Sequence, residues 1–135
     1  MKKLIKDKAT GIALAFLSMA IFVIISMIYI TITEAKNMNV YQDIENITHK
    51  YLLSTEYDGG LNMTQYTQLK KELESLNIKN VDLSGSTLTA DNVQYGENIV
   101  LQISGTIKLM SNPLLTGKLH ENKNFVIRKI ISSKY

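Results

Sequence analysis

The residues that most often carry chemistry are few in this chain, and they lie far apart. His49 and His120 are the only histidines, and there is no cysteine. Neither histidine belongs to a His-x-x-x-His or Glu-x-x-His pattern, so their spacing does not favour a metal site. No Gly-x-Ser-x-Gly elbow marks a catalytic serine, and the glycines form no phosphate-binding pattern. We therefore predict a non-enzymatic protein without a catalytic site, a metal site or a cofactor.

The positive charge is concentrated at one end of the chain. The first eight residues hold four lysines and one aspartate, whereas residues 9–135 hold 11 basic and 11 acidic side chains. The basic pI therefore does not indicate nucleic acid binding, which needs a basic face on the folded part. Lysines that flank an apolar segment favour the cytoplasmic side of a membrane. We expect four residues to set this topology: Lys2, Lys3, Lys6 and Lys8.

An uncharged, apolar run of 25 residues follows at 9–33. As a helix it is about 37 Å long, which exceeds the bilayer core of about 30 Å. A cleaved secretory signal is the alternative, but its apolar region is about 7–15 residues long and ends in an A-x-A-like site. This run is longer, and residues 30–36 lack small residues at both required positions. We predict a cytoplasmic stub at 1–8, a transmembrane helix at 9–33 and an extracytoplasmic domain at 34–135.

The helix is predicted to continue beyond the membrane to about Leu53. No proline or glycine interrupts it, and Val40, Ile44 and Ile47 recur at helical spacing among polar residues. Its outer half is therefore amphipathic and needs a covering surface. That surface is either the protein's own sheet or a neighbouring subunit.

The rest of the chain predicts a small α+β domain with an antiparallel sheet. Paired glycines after Asp58 end the first helix, and a second, short helix is expected at 64–76, capped by Asn62 or Thr64. From Ile78 the apolar period changes to that of a strand, with a short return strand at 87–90.

The clearest strand signal lies at 99–109, where apolar and polar residues alternate. Gly105 falls in the apolar register, which indicates a bulge or a point of close packing. Residues 111–124 contain the only proline and are predicted to form a loop whose leucines cover the sheet edge or contact a partner. A last strand is expected at 125–131.

The order of these parts resembles type IV pilin-like proteins, and more closely the TadE-like pseudopilins of Gram-positive Tad-type pilus and conjugative gene clusters. The segments that carry the resemblance are 8–14 (Lys-Ala-Thr-Gly-Ile-Ala-Leu), 95–103 and 127–135. The resemblance implies a subunit of a pilus, secretion or conjugation apparatus that assembles through its N-terminal helix. The residues expected to pack between helices are Leu14, Phe16, Leu17, Ile21, Ile24, Ile25, Ile28, Val40, Ile44 and Ile47.

The resemblance also implies a processing site, and here the chain departs from the family. Cleavage in pilins follows a glycine, so Gly11 and Ile12 would flank the cut. The fifth residue after that cut would be Phe16, where pilins carry a glutamate, and residues 9–33 contain no carboxylate. This departure favours an accessory or uncleaved subunit over a major pilin.

The expected partners are the lipid bilayer and either other pilin-like subunits or inner-membrane assembly proteins, without nucleic acid. The expected location is the cell membrane, with the N-terminus in the cytoplasm and the C-terminus outside, and on a pilus if the subunit assembles. The alternative is a membrane-anchored extracytoplasmic binding or adaptor domain that never forms filaments. A secreted soluble domain is a third reading, and it requires cleavage by signal peptidase.

Overall fold

One helix runs through almost half of the chain. The computed structural model describes residues 1–135 and places α1 at Lys2–Asp58, a continuous helix of 57 residues that is about 85 Å long. It extends one turn beyond the predicted end near Leu53. Nothing breaks the helix before Gly59, which ends it in the left-handed conformation (φ 72°) that glycine adopts without strain.

A second helix folds back against the first. Helix α2 spans Met63–Ser75, close to the predicted 64–76, and Asn62 rather than Thr64 is its N-cap. The Asn62 side chain accepts a hydrogen bond from the Gln65 amide at 2.8 Å, and the Gln65 side chain accepts one from the Asn62 amide at 3.1 Å. This reciprocal capping box satisfies two amides that a helix start otherwise leaves unpaired.

A three-stranded antiparallel sheet of order β1-β2-β3 completes the head, so the predicted α+β class is confirmed. The strands are β1 (Lys79–Asp82), β2 (Asn98–Met110) and β3 (His120–Ser132). Strand β3 is longer than the predicted 125–131 because it pairs with β2 along all 13 of its residues. The predicted loop at 111–124 is correspondingly shorter, and it includes a one-turn helix, α3, at Pro113–Thr116.

The predicted return strand at 87–90 is wrong. Residues 89–91 form a short 3-10 helix instead, in which Asp91 accepts a hydrogen bond from the Leu88 amide at 2.8 Å. Only Leu88 makes a bridge, to Leu61 just before α2, so the segment ties the helices to the sheet without adding a strand.

The core lies between the inner face of the sheet and the two long helices. Leu101, Ile103 and Ile107 at odd positions of β2 are buried in one cluster with residues of α1 and α2. Gly105 is a point of close packing, since a Cβ there would come within 2.9 Å of the Ile78 side chain. The β2–β3 ladder continues past it, whereas the β1–β2 register shifts between Lys79 and Asp82, next to Asn80 with its φ of 55°.

Candidate membrane and assembly surface

The N-terminal half of α1 exposes large apolar side chains on every side. By length and composition α1 can cross a membrane, and none of its most apolar stretch is buried by the rest of the protein. An apolar surface of this extent requires an apolar environment, because folded proteins rarely expose so large an apolar surface to water. Seven predicted packing residues lie here and are 49–70 % exposed: Leu14, Phe16, Leu17, Ile21, Ile24, Ile25 and Ile28.

The lysines and the predicted processing site lie at the start of this helix. All four lysines are exposed in its first turns. Gly11 and Ile12 follow inside unbroken helix, with Ile12 59 % exposed and no atom within 4 Å of the place where a Cβ of Gly11 would be. The peptide bond between them is therefore not covered by any other part of the chain.

The outer half of α1 is covered by the protein's own head. Ile44 is completely buried in the core, and Val40 and Ile47 pack against the same cluster. Of the two surfaces considered from the sequence, it is the sheet of the same chain that covers these three residues. Ile44 is therefore not available to a neighbouring subunit, although Met38 (61 % exposed) and Tyr41 (37 % exposed) remain accessible on the same stretch of the helix.

The lower edge of the head is fixed to α1 by a side-chain amide. Asn37 donates a hydrogen bond to the Met110 carbonyl oxygen at 2.9 Å and accepts one from the Met110 amide at 2.8 Å. The Asn37 amide thus replaces a strand partner at the end of β2. One helical turn before Asn37, Thr33 is only 7 % exposed and its Oγ1 has no hydrogen-bond partner.

The contact between head and helix reaches below Thr33, into the segment predicted to span the membrane. The Tyr29 hydroxyl donates to the Ser111 carbonyl oxygen at 3.4 Å. The sequence offers no local signal for this contact, because the two residues are 82 positions apart. The head therefore covers one side of α1 even below residue 33, within the segment predicted to span the membrane.

An acidic side chain of α2 binds the C-terminal part of α1. Glu72 accepts hydrogen bonds from the Tyr51 hydroxyl at 2.8 Å and from Lys50 at 3.0 Å. Partial burial alone would raise the pKa of Glu72, but the bonds from Lys50 and Tyr51 outweigh it and lower the pKa. Burial, together with the bond to Glu72, raises the pKa of Tyr51 to about 12.

A second acidic residue binds the segment that follows β3. The Glu56 carboxylate lies 2.7 Å from the Lys134 ammonium, and the Glu56 carbonyl accepts from the Lys134 amide at 2.8 Å. The hydrogen bond to Glu56 raises the pKa of Lys134. Tyr135 packs its ring against Gly59, so residues 133–135 close the top of the head. Near the middle of the head, Lys129 of β3 pairs with Glu45 of α1 at 2.6 Å.

A cleft of about 420 Å³ opens at the edge of the sheet where β1 begins, because the lower part of β2 has no strand partner on that side. Its apolar floor comes from α1, the end of α2 and β2, and its basic rim comes from the three strands. The residues that carry this character are Val40, Leu76, Ile107, Lys79, Lys108 and His120.

Comparison with known proteins finds no family model, no curated protein and no solved structure that matches this chain.

Proposed function

We propose that this chain is a non-enzymatic, single-pass membrane protein that serves as a pilin-like subunit of a pilus, secretion or conjugation apparatus and assembles through α1. The observation that carries the proposal is the unbroken helix of 57 residues, free in its first half and packed under its own sheet in its second. A simple anchor needs only about 20 apolar residues and no rigid link to the head.

Rigid coupling of head and helix supports this role. The core around Ile44, the Asn37 amide and the Glu56 pair fix the head along α1, so neighbouring helices that pack together place their heads in a defined relation. The apolar half of the helix is stable in lipid before assembly and against other apolar helices afterwards. The proposed partners are the bilayer and other pilin-like subunits or inner-membrane assembly proteins, with the lysine end in the cytoplasm.

A membrane-anchored binding or adaptor domain is the second candidate. The cleft of about 420 Å³ beside β2 favours it, because a free strand edge with an apolar floor can accept an extended peptide. The missing carboxylate in residues 9–33 also favours it, since a protein that never enters a filament needs no docking charge in its helix.

Disulfide crosslinking in native membranes tests assembly, since the chain has no cysteine of its own. We expect Ile21→Cys and Met38→Cys to yield dimers and higher species, because both side chains are exposed, at 49 % and 61 %. Ile44→Cys is the matched control on the same helix, and it should stay uncrosslinked because Ile44 is buried. Strictly monomeric behaviour of both exposed variants, with the native partners co-expressed, would refute the subunit role.

The mass of the mature protein distinguishes the candidates. Cleavage between Gly11 and Ile12 with methylation of the new amine supports the pilin route. An intact N-terminus shifts the balance to the adaptor, and cleavage near residue 33 supports a secreted domain.

A further inference from the structure

The turn between β2 and β3, residues 111–119, lies beside the apolar half of α1. Asn112, Pro113 and Leu114 line a small cavity of about 160 Å³ together with four helix residues. Those residues are Phe22, Ile25, Ser26 and Tyr29. The turn therefore lies along the helix about two to three turns below Thr33.

The charged residues before the apolar run set the depth of the turn in the bilayer. Asp7 and Lys8 end the apolar run, and carrying them into hydrocarbon is costly, so the span begins near Ala9. The first 20 residues of the run, 9–28, already cover about 30 Å, the full thickness of the core. Phe22 and Ile25 then lie about 5 to 9 Å inside the outer boundary of the hydrocarbon.

The turn presents apolar side chains to its surroundings at this depth. Leu114, Leu115 and Leu119 are 66 %, 80 % and 59 % exposed. Lys118 lies among them with a side chain long enough to reach the polar headgroups. In water three such leucines on a nine-residue turn would have no covering surface, whereas at this depth lipid surrounds them.

Hydrogen bonds within the turn satisfy the amides of Ser111 and of residues 114–118, which lowers the cost of placing this backbone in lipid. Asn112 accepts from the Leu114 amide through its side chain, and its carbonyl accepts from the amides of Leu115 and Thr116. The Gly117 amide donates to the Pro113 carbonyl, which closes the turn. Further bonds pair Ser111 with Leu119 through the backbone and with Thr116 through the hydroxyls.

We propose that this turn is a membrane-dipping element that inserts Leu114, Leu115 and Leu119 into the outer leaflet of the bilayer that α1 crosses. The proposal rests on the membrane anchorage given under Proposed function. Its depth of about 5 to 9 Å is that of other interfacial apolar elements. The inserted turn and α1 together hold the head at two points, which keeps the sheet upright on the membrane surface.

Depth-dependent quenching of a fluorophore tests the proposal on the full chain in phosphatidylcholine vesicles. A single cysteine carries an environment-sensitive label at Leu115, Tyr95 or Met19. Tyr95 is the matched control, since it is 78 % exposed against 80 % for Leu115 but lies at the top of the head. There the adjacent Gly96 amide bonds to Ser133. Met19, 65 % exposed in the span, reports on anchorage itself.

We expect lipids brominated on their acyl chains to quench the labels at Leu115 and Met19 strongly, and aqueous iodide to quench only the label at Tyr95. If iodide quenches Leu115 as it does Tyr95 while Met19 responds to brominated lipid, the chain is anchored but the turn does not insert. If Met19 itself fails to respond to brominated lipid, the anchorage is wrong. If Leu115 is shielded from both quenchers, a neighbouring subunit covers the turn, and this also overturns the proposal.

Discussion

Replacing Asn37 by alanine should loosen the lower edge of the head. The substitution removes both hydrogen bonds to Met110, of 2.9 and 2.8 Å, and leaves the amide and the carbonyl of Met110 without protein partners. Each bond contributes about 1 kcal/mol net in a partly buried position, so the expected loss is about 2 kcal/mol. The higher helix propensity of alanine offsets about 0.5 kcal/mol of this loss.

Asn39→Ala is the matched control for this change. Asn39 lies on the exposed side of the same helix, and its side chain makes no hydrogen bond. Both variants gain the same helix propensity, so their difference isolates the contact between Asn37 and Met110. Asn37→Asp provides an intermediate case, because its carboxylate accepts from the Met110 amide but cannot donate to the Met110 carbonyl.

Amide hydrogen exchange of the purified protein in micelles measures the effect at the residue concerned. A loss of about 1 to 2 kcal/mol predicts that the Met110 amide exchanges about 5 to 30 times faster in Asn37→Ala than in Asn39→Ala. Exchange in the upper half of β2 should change much less. Equal exchange of Met110 in the two alanine variants would refute the assignment of Asn37 as the clamp between helix and sheet.

Three further predictions concern the interior. Ile44→Ala should cost about 2 to 5 kcal/mol in urea unfolding, because it leaves a cavity in the core, whereas Ile28→Ala at an exposed position should cost far less. Thr33→Val should be neutral or stabilising by about 1 kcal/mol in thermal unfolding, because it removes a buried hydroxyl that has no hydrogen-bond partner. Thr31→Val is the control and should show no gain, because the Thr31 hydroxyl makes a hydrogen bond of 2.9 Å. In the folded protein the pKa of Tyr51 is raised from 10.0 to about 12, so between these pH values the folded protein keeps the Tyr51 proton and the unfolded chain loses it. The free energy of unfolding should therefore fall as the pH rises from 10 to 12, and it should fall less in Tyr51→Phe.

Local sequence patterns predicted the elements that have a strong period and clear ends. The alternation at 99–109 gave β2, and the run of apolar and amphipathic residues up to Gly59 gave α1. The candidate caps Asn62 and Thr64 placed the start of α2 to within one residue. In each case neighbours in the sequence supply the stabilising contacts, so the pattern is visible without the fold.

Elements that depend on a distant partner were predicted poorly. Residues 120–124 are polar and carry no strand pattern, yet they extend β3 because β2 offers 13 paired positions beside them. The segment at 87–90 has a strand-like composition, but hydrogen bonds to Leu61 and Asp91 hold it in another conformation.

Charge and hydropathy already predict an uncharged helix with lysines before it at one end of this chain, because both are properties of the residues themselves. Three features follow only from how the elements pack: the sheet covers Ile44, Asn37 replaces a strand partner, and the turn at 111–119 lies beside Phe22 and Ile25. The contacts of Asn37 and of the turn join residues more than 70 positions apart. They depend on the direction of α1 relative to the sheet, and no local pattern of side chains encodes that direction.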